Sequence, residues 1–305
     1  MNDMQRDALV TARACLAVLG LVLPMLMSAP ARADVCAADD SGQKVCLDKP
    51  ARRIAALSPG ATELVYAAGA GDQVVAVVSY SDYPPEARQV PSVGSHTRLD
   101  LERLVSLAPD LAIGWSTGNP GEQLTKLDAL GIPVFMIEPR SVEGVSSAIE
   151  RLATLAGSEA EGHAAAQGFR DGMAELAAQY ADADPMPVFY QVWDEPLMTV
   201  NDDHLIGEVI ALCGGRNVFG KLERLVPRIG TEAVLAADPE AIVAGGMGEE
   251  NRDWLDAWKR YPELQAVERD NLFFVPPSLI QRPTPRLLEG SRIFCEKLDE
   301  ARSRR

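Results

Sequence analysis

The sequence predicts an α/β fold of two Rossmann-like lobes, each built on a mostly parallel sheet, joined by one long rigid helix. Three observations carry that expectation. From Ala51 onward, short runs rich in Val, Ile, Leu and Ala alternate with helix-like segments, the pattern of buried parallel strands. The alternation stops between Ser141 and Asp184, where two helices follow one another with no strand, and then resumes. One unit also occurs twice. "LDLERLVSLAPDLAIGW" (Leu99 to Trp115) and "IGTEAVLAADPEAIVAGG" (Ile229 to Gly246) each open a short apolar helix with a glutamate, then place Pro beside an acid, then a hydrophobic strand.

Residues 1–33 read as an export signal. Arg6 and Arg13 precede an apolar run from Cys15 to Met27, and Ala31-Arg32-Ala33 fits a small-residue cleavage site before Asp34. The run falls short of the ~20 residues of a membrane span. Arg13 and Asp34 stand where a lipoprotein signal needs small or apolar residues, so a soluble exported protein cleaved near Ala33 is expected.

Residues 34–51 form a hairpin segment in which Cys36 and Cys46 flank the turn-like "AADDSGQKV". Four cysteines remain once the signal is removed, with three possible connectivities in an oxidising compartment. A local Cys36–Cys46 pair leaves Cys213 to join Cys295; four free buried thiols are the alternative. Residues 52–157 make the first lobe, through strands "RIAALSP", "QVVAVVSY", "LAIGW" and "IPVFMIEP", with helices "ATELVYAAGAG", "LERLVSLAPD", "GEQLTKLDALG" and "SVEGVSSAIERLATLAG". Residues 158–184 are the connecting helix, about 25 residues and nearly ~40 Å long at 1.5 Å per residue, stopped by Pro185 and Pro187. Residues 185–305 repeat the rhythm, ending in a helix from Pro285.

The formal charge of −15, from 44 acidic against 29 basic residues, argues against a nucleic-acid partner. No GxGxxG, GxxxxGK[ST] or GxSxG pattern occurs, and His96, His163 and His204 have no metal-ligand spacing. No familiar catalytic machinery is visible, so no enzyme, no resident cofactor and no metal site are expected.

Aromatic residues gather at strand ends instead: Tyr80 and Tyr83 in "SYSDYPP", Trp115 and Trp193. Open α/β sheets bind ligands at that edge, so a large ligand with apolar faces fits these positions, with core or rim packing as the plain alternative. His96 lies in the polar loop "VGSHTRLD", where solvation competes with a ligand contact. His163 falls on a solvated helix face, and His204 opens a helix as a local cap. Glu102 and Glu232 are explicable singly as first-turn acids that favour the positive end of a helix. As a matched pair, one per lobe, they suit salt bridges to a two-fold symmetric basic partner.

The runs "LSPGATELVYAAG", "SYSDYPPEA", "GNPGEQLTKLDALGI", "VIALCGGRNVF" and "RPTPRLLEGSRIFC", with the repeated unit, resemble the periplasmic substrate-binding proteins of ABC importers. Within them the resemblance is to the helical-backbone class (class III), and there to the cobalamin (vitamin B12) binders. It covers nearly all of residues 52–300. It implies a periplasmic monomer of a Gram-negative cell that captures cobalamin or a related corrinoid between two lobes and delivers it to an ABC permease dimer. It implies that Tyr80 touches the corrin and that Ser278, Leu279, Ile280, Gln281 and Arg282 form a ligand loop. His96, Trp115 and Trp193 complete the expected ligand set. Glu102 and Glu232 match glutamates that dock permease arginines, and Cys213 and Cys295 match a disulfide pair. Three departures stand out: His96 occupies a place expected to be tryptophan, "SLIQR" lacks an aromatic-acidic character, and the Cys36/Cys46 hairpin is an addition. The alternatives are a receptor of the same fold for haem or a ferric siderophore, and an exported corrinoid-processing enzyme.

Overall fold

The computed structural model describes residues 34–246 and 248–305. The expected export signal and its expected cleavage near Ala33 lie outside the described residues. The chain opens with an antiparallel hairpin, β1 (Val35–Ala38) and β2 (Lys44–Leu47), in which Cys36 faces Cys46 and is bonded to it. Its turn is held by the Asp39 carboxylate, which accepts from the amides of Ser41 and Gln43.

The N-terminal lobe follows: β3 (Ile54–Ala56), α1 (Pro59–Ala67), β4 (Val74–Ala76), a small antiparallel pair β5 (Gly94–Ser95) and β6 (Arg98–Leu99), α2 (Leu101–Ser106), β7 (Leu111–Trp115), α3 (Gly121–Ala129) and β8 (Val134–Ile137). Its main sheet has the order β4-β3-β7-β8, all parallel. The hairpin turn covers the open edge at β8: the Asp40 amide donates to Met136 O at 2.9 Å, and the Asp40 carboxylate accepts from the Glu138 amide. Edge strands left open invite pairing with other chains, and this contact blocks it.

Two helices in succession then cross the molecule, α4 (Val142–Ala156) and α5 (Glu159–Gln179). Ser141 caps α4 by accepting from the Gly144 amide, and Gly157, at φ +71°, ends it in a left-handed turn that costs glycine little. Close packing of the pair depends on Gly162, where a Cβ would lie 2.2 Å from that of Ala153. At 21 residues α5 is about 31 Å long. It ends at Gln179, ahead of the expected stop at Pro185 and Pro187. Tyr180 is buried as the cap residue, and Asp182 and Asp184 follow where the negative end of the helix dipole disfavours acids.

The C-terminal lobe comprises β9 (Met186–Gln191), α6 (Leu205–Leu212), β10 (Gly215–Asn217), α7 (Thr231–Ala237), β11 (Ala241–Ala244), α8 (Asp253–Asp256), α9 (Gln265–Glu268), β12 (Leu272–Phe274), α10 (Pro277–Ile280) and α11 (Leu287–Arg302). Its parallel sheet runs β10-β9-β11-β12. Both lobes share one topology: the first strand sits inside the sheet, the second goes to one side, and the third and fourth go to the other. The repeated sequence unit is α2–β7 in one lobe and α7–β11 in the other. The Cys213–Cys295 disulfide ties the end of α6 to α11.

One apolar cluster runs from Ile54 and Phe135 through Ile149, Phe169 and Met173 of the paired helices to Tyr190, Phe294 and Leu298. The lobes therefore share a core on their helix side. Smaller clusters cover the other face of each sheet. What remains for a ligand is the crevice beyond the carboxyl ends of the strands, where the connections from β3 and from β9 diverge.

Candidate functional site

A cleft opens between the lobes at that edge. From the N-terminal lobe Trp115, Glu138, Pro139 and Arg140 line it; from the C-terminal lobe His204, Leu205 and Leu225 do so, with Ile280, Gln281 and Pro283 beside them.

Trp115 ends β7 and is held from three directions. Its indole covers Gly118, where a Cβ would lie 1.8 Å from the ring, so a side chain there would evict it. His96 packs against it, ring centroids 5.6 Å apart and tilted by 47°. Its amide donates to Asn119 Oδ1 at 2.7 Å. The same Asn119, only 7% exposed, donates through Nδ2 to Leu57 O at 2.9 Å and His96 O at 2.8 Å. One carboxamide thus joins the ends of β3 and β7 to the loop that bears His96. Nearby, Thr117 donates through its amide and hydroxyl to the Glu138 carboxylate. No local signal in the sequence marks Asn119, because its partners Leu57 and His96 lie 62 and 23 residues away along the chain.

Tyr80 is 78% exposed and adopts φ +65°, a strained conformation for a non-glycine residue that structures retain at functional positions. Its carbonyl accepts from Arg282 Nη2 at 3.3 Å. Tyr83 turns away from the cleft, lying under the Arg286 guanidinium at 4.3 Å. On the opposite lobe Trp193 is 42% exposed, packed edge-on against Trp254 with centroids 5.8 Å apart. Its Nε1 donates to Glu195 O.

The expected ligand loop divides. Ile280 and Gln281 line the cleft, with Gln281 Nε2 donating to the Tyr190 hydroxyl at 3.2 Å. Burial pushes the Tyr190 phenol well above its usual pKa, so it stays protonated. Ser278 donates to Glu249 Oε2 at 2.8 Å and is buried. Leu279 is buried too, because its backbone packs on α11 at Gly290. Ser278 and Leu279 therefore serve the lobe's interior in this structure. Arg282 is paired with Glu63 Oε1 at 2.8 Å and Asp82 Oδ1 at 3.0 Å, and so bridges the lobes.

Glu102 and Glu232 are both exposed, and neither forms an ion pair among the described residues. The cap of α2 is Asp100, which accepts from the Arg103 amide at 3.0 Å, so Glu102 is not needed for it. Helix α7 has no side-chain cap, and Glu232 folds back toward Gly230 at its start. His163 reaches Glu150 on an exposed surface. Among the described residues no group of three or more His, Cys, Asp or Glu is placed to hold a metal ion, and no helix is long and apolar enough to cross a membrane.

A family model described as "Periplasmic binding protein" matches residues 54–279. The chain belongs to the periplasmic binding protein family. Among its relatives, the vitamin B12-binding protein of Vibrio cholerae serotype O1 is 37% identical over 249 residues, spanning 82% of this chain and 90% of the relative. That of Photorhabdus laumondii is 35% identical over 248 residues, spanning 81% and 88%. The crystal structure of the periplasmic vitamin B12-binding protein of Vibrio cholerae superposes with a TM-score of 0.74 at 35% identity, covering 83% of this chain and 98% of that one. A periplasmic haem-binding protein of Vibrio cholerae reaches a TM-score of 0.71 at 22% identity, which shows a common fold. The paired lobes, parallel sheets and crossing helices are those of the helical-backbone class of this family, whose members bind and carry solutes for transport.

Proposed function

We propose that the protein is a periplasmic receptor that captures cobalamin in the cleft between its lobes and presents it to an ABC importer. The observation that carries this reading is the 37% identity to a vitamin B12-binding protein across 82% of the chain. The arrangement supports it: Trp115 lines the cleft with His96 packed against its ring, Trp193 is exposed on the other lobe, and Tyr80 is exposed with its carbonyl held by Arg282. Polar groups of Gln281, Glu138 and Arg140 suit an amide-rimmed macrocycle.

In the same reading Glu102 and Glu232 meet arginines of a permease dimer, one glutamate per lobe. The chain acts as a monomer cleaved near Ala33, with lobes at 52–157 and 185–305 flanking a helical connection at 158–184. Closure is modest, since a helix and a shared core resist hinge motion that paired strands would allow.

Titration of the purified protein with cyanocobalamin, followed by tryptophan fluorescence and calorimetry, tests the ligand. Saturable quenching with released or absorbed heat is the expected result; no response up to high micromolar ligand would overturn it. A haem reading draws on His96 beside Trp115, and predicts a Soret shift lost in His96→Ala.

A further inference from the structure

His204 caps α6 in a way that leaves half of its ring unused. Its Nδ1 accepts from the Ile206 amide at 3.1 Å. Helix caps are usually Ser, Thr, Asp or Asn, short side chains whose polar atoms all lie against the helix start. An imidazole carries a second nitrogen on its far side. Because Nδ1 accepts an N–H, the proton of the neutral ring must sit on Nε2. Burial and, secondarily, the charge of Arg140 push the His204 pKa down to about 4, so the ring keeps this tautomer at neutral pH.

That Nε2–H has no acceptor among the described residues. Nor is it among the buried side-chain atoms left without a partner, which are Gln73 Oε1 and Ser291 Oγ. It is therefore open to the outside, and the opening that His204 lines is the cleft, together with Trp115 and Arg140. The ring's footing is rigid. Leu205 and Ile206 are buried, and Glu208, one turn along α6, accepts from the Val142 amide at the start of α4 at 2.9 Å.

We propose that His204 is a ligand-reading residue lining the cleft, donating from Nε2 to an amide carbonyl on the rim of the captured corrinoid. The arrangement also excludes His204 as an axial metal ligand, since neither nitrogen offers a free lone pair. The inference rests on the cobalamin reading above.

The test separates the donor from the cap. His204→Ser keeps an oxygen to accept from the Ile206 amide but presents nothing to the cleft; His204→Ala does neither. Cyanocobalamin titrations should show both variants weakened about 5- to 10-fold, the loss of one neutral hydrogen bond. Thermal denaturation should leave the serine variant at the wild-type Tm and lower that of the alanine variant. A serine variant that binds cyanocobalamin as tightly as wild type overturns the donor role while the receptor reading stands. If the wild type itself binds no cyanocobalamin, the ligand reading fails and this inference fails with it.

Discussion

Glu63 of the N-terminal lobe and Arg282 of the C-terminal lobe meet at 2.8 Å, with the Glu63 side chain only 2% exposed. Thr284 Oγ1 donates to the second carboxylate oxygen at 2.8 Å, and Arg286 approaches the first at 3.4 Å. All three donors come from the segment that leads into α11. One buried anion thus gathers two cations and a hydroxyl from the far lobe. Removing one side of such a network leaves the rest uncompensated, which costs about 3–5 kcal/mol. Glu63→Ala should fall near the lower end, about 3 kcal/mol, because Arg282 keeps Asp82. Urea denaturation measures this, and a loss below about 1 kcal/mol would show that solvent relaxes around the arginines instead.

Asn119 fixes the aromatic platform through three hydrogen bonds to three separate backbone segments. Asn119→Asp keeps the acceptor for the Trp115 amide but sets a carboxylate oxygen against the carbonyls of Leu57 and His96. We expect a stability loss of about 2 kcal/mol and at least a tenfold loss of cobalamin affinity. Asn217 is the matched control: it donates to Val200 O and accepts from the Phe219 amide in the other lobe. Asn217→Asp should cost similar stability with affinity unchanged. Equal affinity losses in both variants would make the Asn119 effect a general one.

Glu63 and His204 mark the limit of what the sequence reveals. The lobes, the crossing helices and the repeated α2–β7 and α7–β11 units are legible because periodicity and punctuation are local signals. The Cys36–Cys46 pairing is legible for the same reason, as it spans a single turn. Glu63 is not: within "ATELVYAAG" it looks like a solvated helix acid, and its Arg282 partner lies 219 residues away. His204 was legible as a cap, but its second nitrogen gains meaning only when Trp115 of the other lobe faces the same cleft. Ser278 and Leu279 read as loop residues, yet packing of α10 on α11 turns them inward. Contacts between lobes follow from the folded arrangement, and no local pattern encodes them.

The two exposed glutamates lead to a transport prediction. Glu102 and Glu232 occupy equivalent places, each in the first turn of the helix before the third strand of its lobe. Neither lines the cleft described above. Glu102→Ala combined with Glu232→Ala should leave cobalamin affinity within about twofold and cripple uptake by cells that depend on the importer. Each single variant should show a smaller defect, and added salt should weaken docking of the wild type to permease vesicles. Normal uptake by the double variant would remove the docking role.

The last prediction concerns acid stability at the junction of α4 and α5. Arg170 of α5 bonds Glu143 at 2.6 Å and Glu150 at 2.8 Å, both on α4. Hydrogen bonding from Arg170 holds both carboxyls below their usual value of 4.5. A carboxyl depressed in the folded state stabilises the fold above its unfolded pKa, and that contribution fades as pH falls through the folded value. The Glu143 side chain is 68% exposed, so solvent screening keeps the total within about 1 kcal/mol. Arg170→Gln should therefore lower Tm by a constant amount between about pH 5 and 8, and the gap from wild type should narrow as pH falls below the usual carboxyl value of 4.5. A gap that persists unchanged at pH 2 would assign the effect to packing of the Arg170 stem between the helices, because the charge of its partners would then be irrelevant.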